Sequence, residues 1–427
     1  MEKQIILLCL LLLCLNLFAA GCWDHIEIEE LALVRTIAID YLPGRRAPYL
    51  VTFAISLPSD VVGGEGGGGG AEPTQLFSGV GATLNLALRQ ASLNLSRRVF
   101  LSHAEVIVIG EEMAKHGLAH VFDFILRSPQ IRLNSHLVFT KGLAQQILTT
   151  TDRLEVGITE EIIGMIEQSR YLPETEPLPA YRFLQKVVTP GQEAYSALLL
   201  KSPPLEEVIP GLEAEQKPGG EEEGGGGGSG GSGQEGESSG GGEKAAEVLT
   251  MTGVAAFRDD KLAGLLDATE TRGFQWFLGK TSRTYLAIPD PEQPEESITL
   301  LVSRVQAKIK PQIKNGQVSF SVEVITEGDI RSQTAASKLN TPEMINKINS
   351  ANAAVIKKEM EKSLRKMQQL QVDLVGFGTI LHRHEPKLFS RLQDNWSEQF
   401  SRLKVEIVVT SDVRRTGLQS NPARPRP

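Results

Sequence analysis

The chain has 427 residues, of which 41% are apolar and 22% charged. That is ordinary globular usage, and it excludes a wholly disordered chain, a collagen and a polytopic membrane protein. A net charge of −8, from 44 Lys and Arg against 52 Asp and Glu, argues against a large phosphate-tracking surface for nucleic acid.

The first element is an uncharged apolar run from Ile5 to Ala20. It is short for a membrane span, which needs about 20 residues, and suits the core of an export signal. Phe18-Ala19-Ala20-Gly21-Cys22 comes next, the pattern of a bacterial lipoprotein signal, with Ala19 where Leu is usual. The thiol of Cys22 would take a diacylglyceryl group, and cleavage would follow Gly21. Plain secretory cleavage and a signal anchor are the alternatives. The other two cysteines, Cys9 and Cys14, lie inside the signal, so the mature chain would carry one thiol at its first residue. No disulfide framework or cysteine-rich metal site is then possible. No later stretch reaches spanning length, so the rest is expected on one side of the membrane.

Composition divides the chain into a signal peptide (1–21), N-terminal strands after the acylated Cys (22–62), an N-terminal α+β region (71–217), a disordered Gly/Glu/Ser-rich linker (218–243), a C-terminal α+β region (244–417) and a frayed tail (418–427). A second glycine tract occupies 63–70. Neither tract has apolar side chains to bury against the entropy of ordering.

Before the linker, 31–40 and 49–57 read as a hairpin-like strand pair around Pro43-Gly44. Residues 81–96 place Leu84, Leu88, Ala91 and Leu95 on one helical face. A strand is expected over 103–109, then one helix over 111–127 with Met113, Leu118, Val121, Phe122 and Ile125 inward, stopped by Pro129. Residues 133–140 and 195–201 read as strands, and 143–148, 159–169 and 181–188 as helices. After the linker, 249–257 and 261–266 form a hairpin around Arg258-Asp259-Asp260. Strands 298–310 and 317–325 flank Asn315-Gly316, a strong turn signal. Thr341-Pro342-Glu343 opens a helix of about 30 residues, with Thr341 as cap and Pro342 first. Ile345, Ile348, Val355, Met360, Leu364 and Met367 trace its apolar stripe. A strand over 404–409 closes the chain. The class is α+β and multi-domain, with antiparallel sheets and flanking helices.

Chemistry-bearing motifs are few. His382-Arg383-His384-Glu385 is the one cluster of ligand types; on a strand its two imidazoles would share a face, but no third ligand is spaced to join them. A solvated loop leading to Pro386 is the favoured reading. No H-E-x-x-H, G-x-S-x-G or cysteine nucleophile occurs. Gly376-Phe377-Gly378 follows a helix and is read as its end, with Gly376 near the C′ position. Lys347, Lys357, Lys358, Lys362, Arg365 and Lys366, interleaved with Glu359 and Glu361, read as a solvated face, with a surface for anionic headgroups as the minority reading.

The spaced motifs resemble the Ger(x)C spore-germination lipoproteins, the C subunits of nutrient germinant receptors in endospore-forming bacteria. The matching residues begin with Gly21-Cys22-Trp23-Asp24, Glu27, Leu31-Ala32 and Ile39-Asp40, where Ala38 replaces the usual Gly. Next come His103, Gly110-Glu111-Glu112, Ala114, Gly117, Asp123-Phe124, Arg127, Pro129 and Arg132. After the linker stand Gly253, Ala255, Phe257, Lys261-Leu262, Gly264, Glu270-Thr271-Arg272-Gly273 and Trp276. The last block is Asp373, Gly376-Phe377-Gly378, Pro386, Trp396, Phe400, Arg415 and Gly417. Any one block is weak; four in order are specific.

The resemblance implies three α+β domains, an acyl anchor at Cys22 on the outer face of the spore's inner membrane, no catalysis and no cofactor. It also implies A-type and B-type membrane subunits as partners. Apart from Cys22, the matched residues are expected to be structural or at interfaces. A substrate-binding lipoprotein that serves a solute transporter is the alternative function, and a metal-dependent envelope enzyme, resting on His382, His384 and Glu385, the third.

Overall fold

The computed structural model describes residues 2–7, 26–56, 74–150, 155, 157–202, 248–281, 283–335 and 337–415. The expectations for Cys22, Trp23, Asp24, both glycine tracts and the tail lie outside these residues. Among the described residues, ten strands form one mixed sheet and four form another, with helices packed on both, an α+β arrangement.

The large sheet contains β1 (Leu31–Tyr41), β2 (Tyr49–Ser56), β3 (Thr74–Gly81), β4 (Arg98–Phe100), β5 (Val106–Ile109), β6 (His136–Phe139), β7 (Leu178–Pro179), β8 (Tyr195–Ser202), β9 (Val248–Arg258) and β10 (Lys261–Leu266). Its order is β10-β9-β8-β6-β5-β1-β2-β3, with β4 on β1 and β7 on β6. The flanks are antiparallel hairpins, as the turn residues lead one to expect. The centre, β1-β5-β6-β8, is parallel. Val106–Ile109 is buried throughout, which is how a strand covered on both faces reads.

Helices α1 (Leu84–Ser92), α2 (Glu111–His116), α3 (Ala119–Arg127) and α6 (Ala180–Val188) cover one face, and α4 (Ala144–Leu148) and α5 (Ile158–Gln168) the other. Residues 111–127 are two helices where one was expected. Gly117, at φ +123, ends the first, since that backbone conformation is open to glycine and cannot continue a helix. Strand β5 starts at Val106, and His103 lies in the turn before it.

Both glycine-rich stretches connect antiparallel neighbours. Ser56 pairs with Thr74 across the first, and Ser202 with Val248 across the second. The large sheet therefore runs through the compositional break at 218–243. Strand β9 shows why: Ala255 and Phe257 face the N-terminal core, while Val254 and Ala256 face the C-terminal one.

The second sheet orders β11 (Thr284–Pro289), β12 (Ser297–Lys314), β13 (Gln317–Gln333) and β14 (Lys404–Arg415). Asn315 and Gly316, at φ 51 and 77, make the tight turn between β12 and β13. Strand β14 returns parallel to β13 through helix α8 (Pro342–Leu370), which spans 29 residues and is capped by Thr341 Oγ1 accepting from Met344 N–H. Ile345 and Val355 are only partly buried; the buried stripe is Met344, Ile348, Asn352, Ile356, Glu359, Met360, Ser363, Leu364 and Met367. Helix α7 (Ala268–Leu278), α9 (Phe377–His384), α10 (Pro386–Leu392) and α11 (Trp396–Ser401) fill the space between the sheets. None of these four, nor β3 or β11, is legible from periodicity. Gly376 does not end α8, which closes at Gln371 in the left-handed region; at φ 85 it caps the start of α9. Phe377 is fully buried against Phe277, Phe320 and Phe400, a burial that contributes about 2–3 kcal/mol.

Candidate functional site

Nine motif residues meet at three buried carboxylates. Asp40, at the end of β1, accepts from the backbone N–H groups of Ala144 at 2.7 Å and Gln145 at 3.0 Å. It thus caps α4 from across the sheet, where Leu143 offers no capping side chain. Burial raises its pKa against the pull of those two bonds. A Cβ on Gly110 would overlap Asp40 Oδ1. The blocks around Asp40 and Gly110 are therefore two sides of one contact.

Asp373 is fully buried. It accepts from Gly376 N–H at 2.7 Å, Gly378 N–H at 2.8 Å and Trp396 Nε1–H at 3.1 Å. Its own N–H donates to Glu193 Oε2 at 2.6 Å, and Glu193 N–H donates to the Asp373 carbonyl at 3.0 Å. Ser397 Oγ donates to Glu193 Oε1 at 3.4 Å. Thr379 donates to the carbonyls of Gly191 and Pro190, each at 3.0 Å. A Cβ on Gly378 would stand 2.6 Å from Gly191 Cα and from the Trp396 ring. Burial pushes the Asp373 carboxyl up to about 6. Burial and the facing Asp373 charge push Glu193 up to about 8. A cavity of about 380 Å³ opens beside the pair, lined by Glu193, Arg258, Asp259, Asp394, Trp396 and Ser397 among others.

The third carboxylate is Glu359, on α8. Arg272 on α7 grips it through Nε at 3.0 Å and Nη2, and donates through Nη1 to Glu174 at 2.8 Å. Trp276 Nε1–H donates to Glu359 Oε2 at 2.9 Å. Burial pulls the Arg272 pKa down, but bonds and charges from Glu359 and Glu174 together outweigh it and raise it. A Cβ on Gly273 would overlap the Glu359 carbonyl, so α7 and α8 touch backbone to backbone there. Residues 174, 190, 191 and 193 of the N-terminal region are thus bonded to the C-terminal one.

The remaining matched positions are simpler. Glu27 precedes the 3-10 turn Ile28–Glu30 and accepts from Glu30 N–H through its carbonyl at 3.0 Å. Glu270 completes a capping box with Asp267 at the start of α7. Gly253 lies at an irregularity of β9, Gly264 packs against the Leu370 side chain, and Pro386 is the first residue of α10. Trp276 and Trp396 are buried anchors with their indole N–H groups bonded.

His103, Arg127 and Arg132 are exposed, as are Glu27 and Pro386. Arg127 pairs with Asp123 one turn back on α3. His103 meets the Phe100 ring at 5.6 Å between centroids, and Arg132 has no ion pair among the described residues. His103 and Arg132 line a cleft of about 390 Å³ with Glu105, His136, Ile166 and Glu167. Burial lowers the His136 pKa against the raising effect of Glu105. Arg35 donates to Glu105 Oε1 from Nε at 2.9 Å and Nη2 at 2.5 Å, and also pairs with Glu160.

His382 and His384 sit in the last turn of helix α9, with no loop before Pro386, and a helix turns residues two apart to different sides. Among the described residues no group of three or more His, Cys, Asp or Glu side chains could hold a metal ion. Glu359 does not belong to a solvated face, since Arg272 and Trp276 enclose it. Sequence reasoning missed Glu174, Glu193 and Glu359. Only Glu359 left a signal, a charge three residues after Ile356 and four before Ser363 in the buried stripe.

Residues 24–200 match the family described as "Spore germination protein N-terminal domain", and residues 252–417 match "Spore germination B3/GerAC like, C-terminal". The chain is 27% identical to spore germination protein KC of Bacillus subtilis, covering 98% of this chain and 97% of that one. It is 22% identical to spore germination protein B3 of the same organism, over 89% of this chain and 90% of that one. Among solved structures, the GerBC protein aligns with a TM-score of 0.51 and 16% identity, covering 88% of this chain and 96% of that one, a likeness of fold.

Proposed function

Because the chain belongs to the Ger(x)C family of spore germination proteins, we propose that it is the lipid-anchored C subunit of a nutrient germinant receptor. The observation that carries this is coverage: both family domains match in order, and the likeness to germination protein KC runs nearly end to end. Cys22 carries the acyl anchor on the outer face of the membrane, in the spore the inner membrane. Two or more acyl chains hold a protein stably on a bilayer, each buried CH₂ contributing about 0.8 kcal/mol. Among the described residues no helix is long and apolar enough to cross a membrane.

The role is non-catalytic. The subunit works by contact with A-type and B-type membrane subunits, and confinement to the bilayer raises its effective concentration toward them. The geometry supports a rigid body for such contacts: the buried carboxylates hold backbone loops and helices, and the motif residues around them serve that end.

Two measurements test the proposal. Intact-mass analysis of protein extracted from spore membranes should show cleavage before Cys22 and a diacylglyceryl adduct; an unmodified N-terminus refutes the anchor. Affinity purification from the same membranes should recover the A-type and B-type subunits. Recovery of a solute permease in their place would favour the transporter alternative.

A further inference from the structure

His103 and Arg132 are exposed motif residues whose side chains make no hydrogen bond or ion pair among the described residues, and they share one cleft. Two segments supply one wall: the turn before β5, with His103 and Glu105, and the approach to β6, with Arg132 and the strand's first residue His136. Helix α5 supplies the other, with Ile163, Ile166 and Glu167.

The charges in this cleft are of both signs. Arg35 is shared between Glu105 and Glu160, so those three groups leave one net negative charge. Glu167 adds a second at the rim, and no ion pair engages it among the described residues. Arg132 is a fixed cation with five donors, a geometry suited to a phosphate. His103 can add a sixth donor. A purely anionic ligand would meet Glu167 and the Glu105 wall; a purely cationic one would meet Arg132. A zwitterion carrying phosphate and amine satisfies both, and the Ile163 and Ile166 side chains offer apolar surface to the glycerol and first acyl carbons beyond the phosphate.

The cleft also lies beside the first half of β1. Glu105 N–H donates to Arg35 O at 2.8 Å, four residues into β1. Nine peptide steps separate Cys22 from Leu31, a span of at most about 30 Å. Resting on the acyl anchor proposed above, that tether brings the cleft within reach of the headgroup layer.

We propose that this cleft binds the headgroup of an aminophospholipid of the bilayer that carries the protein. Arg132 and His103 take the phosphate diester, and Glu167 with the Glu105 wall takes the primary ammonium. The contact fixes which end of the body faces the membrane, something an acyl anchor alone does not do.

The test uses the full protein as extracted from membranes in detergent, titrated by calorimetry with short-chain phosphatidylethanolamine below its micellar concentration. Saturable binding is expected, with phosphatidylglycerol and phosphatidylcholine at least about tenfold weaker, since each lacks the primary ammonium. Arg132→Gln should weaken phosphatidylethanolamine binding by about tenfold or more, the order of one lost charge-assisted hydrogen bond set. Glu167→Gln should narrow the gap between phosphatidylethanolamine and phosphatidylglycerol. Both residues are exposed, so neither change threatens the fold. Equal binding of the three lipids, or unchanged binding in Arg132→Gln, overturns the proposal. Free phosphoethanolamine binding as tightly as the lipid would overturn the lipid assignment. Intact mass of the same sample reads the anchor separately, so a missing acyl group and an empty cleft are distinct results.

Discussion

Asp373→Ala tests the joint between the two regions. The substitution removes the acceptor of three buried donors: Gly376 N–H, Gly378 N–H and Trp396 Nε1–H. An orphaned buried donor costs about 1–3 kcal/mol, so the gross loss is roughly 3–9 kcal/mol. Two effects offset it. Alanine relieves the burial of a carboxylate, a strain visible in the raised Asp373 pKa. Water from the neighbouring cavity can also reach some of the donors. The net loss is expected near 3 kcal/mol, a large share of the roughly 5–15 kcal/mol that holds a typical domain together. Asp373→Asn keeps one acceptor oxygen but turns an amide N–H₂ toward a donor, so it should cost less, about 1–2 kcal/mol. Equilibrium urea unfolding followed by tryptophan fluorescence is the assay, because Trp396 touches the altered group. A loss below about 0.5 kcal/mol in the alanine variant would refute the reasoning. So would an asparagine variant as unstable as the alanine one.

Three further outcomes are expected. The folded Glu193 and Asp373 carboxyls hold protons that the unfolded chain has already released, so stability present near pH 5 should fall as pH rises through 6 to 8; Glu193→Gln should flatten the upper part of that fall, and thermal melts from pH 5 to 9 decide it. Glu359→Ala should cost about 3–5 kcal/mol by leaving Arg272 buried with only Glu174 and the Trp276 indole unbonded; an unchanged urea midpoint would show the network to be dispensable. Gly378→Ala should speed proteolysis in the 190–194 loop, since its Cβ forces Gly191 and the Trp396 ring away; a cleavage rate equal to that of the unaltered protein contradicts it.

Local signals reached as far as local physics does. Thr341-Pro342 announced the start of α8 to the residue, and Asn315-Gly316 announced a hairpin, because a cap and a turn are decided within four residues. The joint was not legible for the opposite reason. Glu193 and Asp373 are 180 residues apart, and nothing near either says that it will be buried. The short helices α9 to α11 carry too few turns for a periodicity to stand out, and their apolar residues face several neighbours. Gly376 misled because Gly-x-Gly after a helix is a common stop; here α8 had already ended at Gln371, which took the left-handed conformation that glycine usually supplies. The matched blocks marked positions without their reasons. Asp40 and Gly110, or Arg272 and Trp276 with Glu359, acquire a reason once the partner is in view.

The two glycine-rich stretches each depart from and come back to a pair of hydrogen-bonded strand neighbours, Ser56 with Thr74 and Ser202 with Val248. Each is in effect a detour whose entrance and exit coincide, so its length exerts no leverage on the register of the strands. Doubling such a detour costs only about 0.6 kcal/mol in closure entropy. A backbone cut within 203–247 would leave β8 and β9 side by side, held by the same ladder and by cores on both faces of β9. The two fragments should therefore remain one body and reassemble from separate chains. The same property makes this spot a natural port for foreign sequence, where an epitope, a fluorophore-bearing domain or a protease site can be carried while the sheet closes around it unchanged.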